Sequence, residues 1–186
     1  MNWTIVNLDD VAASPWRNGG GVTRELGVWP ATQDWIWRMS VAEVAASGPF
    51  SHFEGIERWF AVLRGAGVCL DVDGAVHTLT ASDAPFQFDG GAVTECTLLQ
   101  GETRDFNLMV RKKAASAHME RICGDFGTTL SASKMIAVYA MESGATIQFC
   151  QEQTVLKANT LAWSTAPPGA DIQVESEQAL WMEMSV

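Results

Sequence analysis

Short stretches in which apolar and polar residues alternate run along the chain, broken every 8 to 12 residues by Gly, Pro, Asp, Asn and Ser. They include "WIWRMSVAEV", "RWFAVLRG", "GVCLDVDG", "AVHTLT", "TECTLLQG" and "DFNLMVRK", then "KMIAVYAM", "ATIQFCQ", "LAWST", "ADIQVES" and "ALWMEMSV". A period of two sends successive side chains to opposite faces of a strand, so each stretch can bury one face and wet the other. Many short strands with turn signals at this spacing predict an all-β sandwich or barrel. One helical or irregular bridge is expected, "KKAASAHMERICGDFG", at about residues 112–127.

The stretches on either side of that bridge echo one another. "WFAVLRGAGVCLDVDGAVHTLTASDAPF" from Trp59 aligns with "MIAVYAMESGATIQFCQEQTVLKANTLAW" from Met135, with one inserted residue before the Gly67 and Gly144 pair. Beyond it Leu70 matches Ile147, Val72 matches Phe149, Leu79 and Ala81 match Leu156 and Ala158, and Phe86 matches Trp163. This shared order points to a duplicated β unit and predicts two similar barrels, residues 1–113 and 114–186. Eight Trp and eight Phe supply large side chains for a core or a lined cavity.

Charge narrows the function classes. A net charge of −10 repels nucleic acid and anionic membrane surfaces, so neither is expected as a partner. All eight arginines nevertheless lie between Arg17 and Arg121, which leaves room for a local positive pocket and a small anion. The N-terminus "MNWTIVNLDD" has no signal-like apolar run, and no stretch of about 18 apolar residues occurs, so a cytoplasmic location is expected. The four cysteines fall 27 residues apart, but their flanks do not match and no CxxC pair occurs, so they read as reduced and structural.

No metal or other cofactor is expected. His52, His77 and His118 are scattered, and none forms the H-x-H pair that would put two ligands on one strand face. Nor do they allow a nucleophile–His–acid set, and G-x-S-x-G is absent. The triple glycine of "PWRNGGGVTREL" (15–26) is followed by "VTREL" rather than Gly-Lys-Ser/Thr, so it is a weak phosphate signal.

What remains is an arginine set interleaved with strands. Alternation in "WRMSVA" places Arg38, Ser40 and Ala42 on one face and Trp37, Met39 and Val41 on the other. Arg58 shares a face with Phe60 and Val62, and Asp105, Asn107, Met109 and Arg111 share another. If the polar faces turn inward, Arg38, Ser40, Arg58 and Asn107 converge on an interior that carboxylates, water or a ligand must satisfy. Alternatively Arg17, Arg24, Arg38 and Arg58 pair with Glu25, Glu57 and Asp105, or lie outside. The planar guanidinium fork suits carboxylate or phosphate.

"PWRNGGGVTREL", "WRMSVAEVAASGPFSHFEGIER", "LRGAG", "PFQFDG" and "DFNLMVRK" together resemble the HutD/Ves family of two-barrel cupins, densely over residues 3–111 and more loosely to the end. The resemblance implies a bicupin, two jelly-roll-like barrels. Laid on the metal-cupin pattern, Ser51 and Phe53 take the two histidine places and either Glu57 or Arg58 takes the glutamate place before Gly65. A cation site would thereby become an anion site. The family context implies a regulatory role in histidine breakdown, whose intermediates include urocanate, formiminoglutamate and formylglutamate; Ves-like relatives imply a response to cold.

The leading expectation is therefore a metal-free bicupin that binds a small carboxylate. Arg17, Arg24, Arg38 and Arg58 would clamp charge, with Asn18, Glu25, Ser40 and Asn107 completing the site and the glycines bending Arg17 and Arg24 toward its mouth. The alternatives are a metal-independent enzyme on such acids, with Glu25, Glu57 or Asp105 as base, or an interaction protein using an exposed surface. Exposed strands or sheet faces would allow a homodimer.

Overall fold

The computed structural model describes residues 2–185; Met1 and Val186, at the outer ends of the two expected barrels, lie outside it. Its strands are β1 (Thr4–Asn7), β2 (Ser14–Pro15), β3 (Gly21–Trp29), β4 (Trp37–Val44), β5 (Gly48–Pro49), β6 (Ile56–Arg64), β7 (Val68–Val72), β8 (Ala75–Leu79), β9 (Phe86–Asp89), β10 (Thr94–Leu98) and β11 (Thr103–Arg111). There follow β12 (Ser116–Thr129), β13 (Lys134–Ala140), β14 (Ala145–Phe149), β15 (Glu152–Leu156), β16 (Thr160–Ala166) and β17 (Asp171–Ser185). No α-helix occurs among the described residues, and the chain is all-β as its alternation predicts.

Two compact units result. Residues 12–114 form one, and the described residues up to Val11 together with those from Ala115 form the other. The first has a sheet in the order β2-β3-β4-β11-β6-β9 and a smaller one, β5-β10-β7-β8. Phe60, Val62 and Phe88 of the larger sheet share a buried cluster with Val68, Leu70 and Cys96 of the smaller. In the other unit the order is β1-β16-β13-β17-β14-β15, with β12 beside β17. The C-terminal half of β17 pairs with β13 and its N-terminal half with β14, so one sheet curls around Ile136, Ile147, Val174 and Trp181.

The units share a pairing order. β6 lies between β9 and β11 as β13 lies between β16 and β17, and β7 lies between β8 and β10 as β14 lies between β15 and β17. The matched Leu70 and Ile147 are both buried, on β7 and β14. Gly67 and Gly144, which lead into those strands, have φ of +110° and +77°, and a Cβ would stand 2.4 Å from the Leu79 carbonyl oxygen at the first and 2.6 Å from that of Leu156 at the second. Leu79 and Leu156 are themselves a matched pair. Gly67→Ala should therefore cost about 2 kcal/mol through combined backbone strain and overlap. Gly74→Ala, at φ +87° with open space around it, should cost about 1 kcal/mol. Equal losses in urea denaturation would show that the carbonyl contact contributes nothing.

Two expectations need correction. The segment expected to be a helical or irregular bridge contains β12, which pairs with β17 along its length, with a register break between Ile122 and Gly124. Met119 and Ile122 are three apart and suggest a helix face, but in a strand they lie on opposite faces, and both are buried. Long-range pairing overrides local propensity here. The expected barrel of residues 1–113 also fails at its start, because β1 pairs with β16 (Thr4↔Trp163 to Asn7↔Thr160) and joins the C-terminal unit. Asn7 Nδ2 adds hydrogen bonds to the Ala158 carbonyl at 2.9 Å and to Thr160 Oγ1 at 2.8 Å.

Candidate functional site

A cavity of about 520 Å³ opens within the unit of residues 12–114. Three adjacent strands build its polar wall. Met109 on β11 stands opposite Arg38 on β4 and Arg58 on β6, giving a row Arg38–Met109–Arg58; the next row is Ser40–Asn107–Phe60. All six line the cavity. Trp37, Met39 and Val41, on the other face of β4, are buried, as the alternation predicts.

Arg58 dominates the site. It is only 5% exposed, yet among the described residues no carboxylate pairs with it. Its Nη2 donates to Asn107 Oδ1 at 2.7 Å, while its Nε has no hydrogen-bond partner. The guanidinium carbon lies 5.0 Å from the ring centroids of Phe50 and Phe88 and 5.9 Å from that of Phe53. Aromatic faces attract a cation but accept no in-plane hydrogen bonds, so part of the guanidinium edge stays available. Burial, with repulsion from Arg38, lowers its pKa to about 10, which leaves it charged at neutral pH.

The other expected residues divide. Arg17 and Asn18 are exposed and line the cavity. Their turn is held by Gly19 N–H donating to the Trp16 carbonyl at 3.0 Å and Gly20 N–H to Asn18 Oδ1 at 3.0 Å. Gly21 permits the close approach that follows, since a Cβ would sit 2.4 Å from the Glu43 carbonyl oxygen and 3.2 Å from the Trp16 ring. Trp16 in turn donates to Thr23 Oγ1 at 2.8 Å and meets Phe50 edge-on at 6.5 Å.

Arg24 does not join the cavity. Thr23 lines it, and the next side chain along β3 points the other way, where Arg24 pairs with Glu43 at 2.9 Å and Arg104 reaches the same oxygen at 3.1 Å. Glu25 does not line the cavity either. Its Oε2 lies 2.8 Å from Arg38 Nε, an ion pair by distance although that N–H is not aimed at the oxygen.

The other carboxylates considered as bases also stand off the cavity. Glu57 accepts from Trp59 Nε1 at 2.9 Å. Asp105 is wholly buried, accepts from Thr103 Oγ1 at 2.8 Å on one oxygen and leaves Oδ1 without a partner. Burial pushes Asp105 up to about 7 and the nearby Cys96 thiol up to about 12. All four cysteines are free.

The fit to a metal is poor on the donor set itself. Ser51, Phe53 and Arg58 line the cavity where the metal-cupin pattern has ligands, and a buried guanidinium repels a cation. Glu57, the other candidate for the glutamate place, is not in the lining. Among the described residues no group of three or more His, Cys, Asp or Glu could hold a metal ion. No helix among them is long and apolar enough to cross a membrane.

Alternation brings Phe60 to the cavity beside Arg58, but sequence reasoning missed Trp16, Thr23, Phe50 and Phe88. The phenylalanines of "GPFSHF" and "PFQFDG" were the available signal.

Known proteins agree with this architecture. Over 105 residues the chain is 43% identical to Protein Ves of Citrobacter koseri, covering 55% of this chain and 54% of that protein, so the match spans about half of each. It is 34% identical over 134 residues to an uncharacterized 21.2 kDa protein in the hutC 3' region of Pseudomonas putida, covering 71% and 70% of the two chains. The solved HutD of Pseudomonas fluorescens SBW25 superposes with a TM-score of 0.83 at 28% identity, over 99% of this chain and 98% of that one. A cupin 2 conserved barrel domain protein from Leptotrichia buccalis, at 7% identity and a TM-score of 0.55 over 98% and 96%, shares the fold alone. The HutD family model matches residues 8–182, and with the cupin-like fold and these relatives it places the chain in the HutD family.

Proposed function

We propose that this chain binds a small carboxylate metabolite in the cavity around Arg58 without a metal, and that it acts in the cytoplasm as a regulatory binding protein of histidine utilisation. The observation that carries the reading is a buried cation with an unpartnered Nε and, among the described residues, no carboxylate paired with it. Such a group is costly unless an anion or water meets it, and a carboxylate matches its geometry. Arg38 and Asn107 stand on the same wall and Arg17 at the exposed rim, which suits an acid such as urocanate, formiminoglutamate or formylglutamate. The hutC-region placement of the Pseudomonas putida relative supports the pathway, and the Pseudomonas fluorescens HutD structure was obtained in a formate condition.

Calorimetric titration with these three acids, with product analysis of each mixture, tests the reading. Saturable binding with every acid recovered unchanged is the expected result. Conversion of any of them would replace the sensor with an enzyme, and failure of all three to bind would remove the proposed ligand class.

A further inference from the structure

Three arginines line the cavity and no acidic residue does. Their charges are not equivalent. Arg17 is exposed at the rim, where water screens it. Arg58 is desolvated and unmatched. Arg38 has a negative charge behind it, because Glu25 reaches its Nε at 2.8 Å. A local irregularity lies beside that contact: Glu25 is opposite Ser40 but Gly27 is opposite Met39, so Leu26 is an extra residue in β3. A bulge of this kind redirects side chains at a barrel wall, and the pair spans the diagonal between neighbouring strands.

We infer that Glu25 is a specificity-determining residue that sets the charge of the acid this cavity accepts, by neutralising Arg38 and leaving Arg58 as its single buried unmatched cation. The inference rests on the carboxylate reading of the cavity and ranks acids within it: an acid with one carboxylate, as urocanate is, should bind more tightly than a diacid of similar size, as formylglutamate and formiminoglutamate are. In a short diacid, one carboxylate meets Arg58. The second falls toward Arg38, whose charge is already met, and feels repulsion from Glu25. Neutralising Glu25 would turn the Arg38–Met109–Arg58 row into a two-cation site.

Succinate and its half-amide succinamate have the same length and differ by one charge at about pH 8. Their affinities for the parent protein, Glu25→Gln and Glu25→Asp, measured by protein-observed NMR titration, form the test. The parent should bind succinamate at least as well as succinate. Glu25→Gln should move the ratio toward succinate by on the order of tenfold. Glu25→Asp, which keeps the charge, should stay near the parent ratio. Should both acids bind while the ratio is the same in Glu25→Gln as in the parent, or should that variant weaken both equally, Glu25 is not a charge selector, although the cavity still binds acids. Should neither probe nor any of the three pathway acids bind the parent, the carboxylate reading itself fails, and this inference with it.

Discussion

Replacing Arg58 by Met should sharply weaken carboxylate binding while leaving the ligand-free protein at least as stable as the parent. The two effects share one cause. Arg58 is buried without an opposing carboxylate among the described residues, and its electrostatic requirement is met by Asn107 Oδ1 and the ring faces of Phe50, Phe53 and Phe88. An apolar side chain of similar length removes the desolvation cost and keeps the contact with the rings. Asn107 loses a donor, but it lines an open cavity where water can replace it. Binding should weaken by about 2 to 5 kcal/mol, the usual consequence of deleting one member of a buried charged pair. Calorimetry and thermal unfolding on one preparation check both halves. Retained affinity would take Arg58 out of the site, and a large fall in melting temperature would show that the arginine is structural.

Asp105 should give the protein a stability that declines as pH rises from about 4 to about 7. Its folded pKa, raised to about 7 by burial, stands well above the value of about 3.9 expected for an unfolded aspartate. Below about pH 4 both states carry the proton and the contribution is complete. Between the two pKa values the folded state holds a proton that the unfolded state has lost, so stability falls by about 1.4 kcal/mol per pH unit; above about pH 7 the fall stops. Across the window the change is about 4 kcal/mol. Asp105→Asn retains an acceptor for Thr103 Oγ1 and cannot ionise, so the difference between its stability and the parent's should carry the whole slope. Parallel pH profiles for the two proteins would show that Asp105 is ionised in the fold throughout. Since Asp105 does not line the cavity, affinity for acids should change little.

Much of this architecture could be read from alternation. Period two along β4 assigned Arg38, Ser40 and Ala42 to one face and Trp37, Met39 and Val41 to the other, and every one of the first group lines the cavity. The same rule applied to β3 separates Thr23 from Arg24, yet treating the glycine turn as a device for gathering arginines put Arg24 in the clamp. Glu25 was harder, because its partner is a diagonal neighbour on β4 rather than the residue opposite it, and the register beside it is broken at Leu26. The aromatic surround of Arg58 was harder still. Phe50 follows the two-residue β5, whereas Phe88 lies on β9 at the far edge of the other sheet, and only the closed fold brings them to one guanidinium. In β12, the segment expected to be a helical or irregular bridge is held as a strand by its pairing with β17, a partner that begins only at Asp171 and that local pattern does not mark.

The pairing of β1 with β16 also dictates an order of events during synthesis. Asn7 and Thr160 are 153 residues apart, so β1 has no partner until most of the described chain has followed it from the ribosome. Residues 12–114 hold every strand of their own sheets and can close while the rest is still being made. The arginine-lined chamber is thus finished early, and the unit that contains both ends of the described chain is finished last.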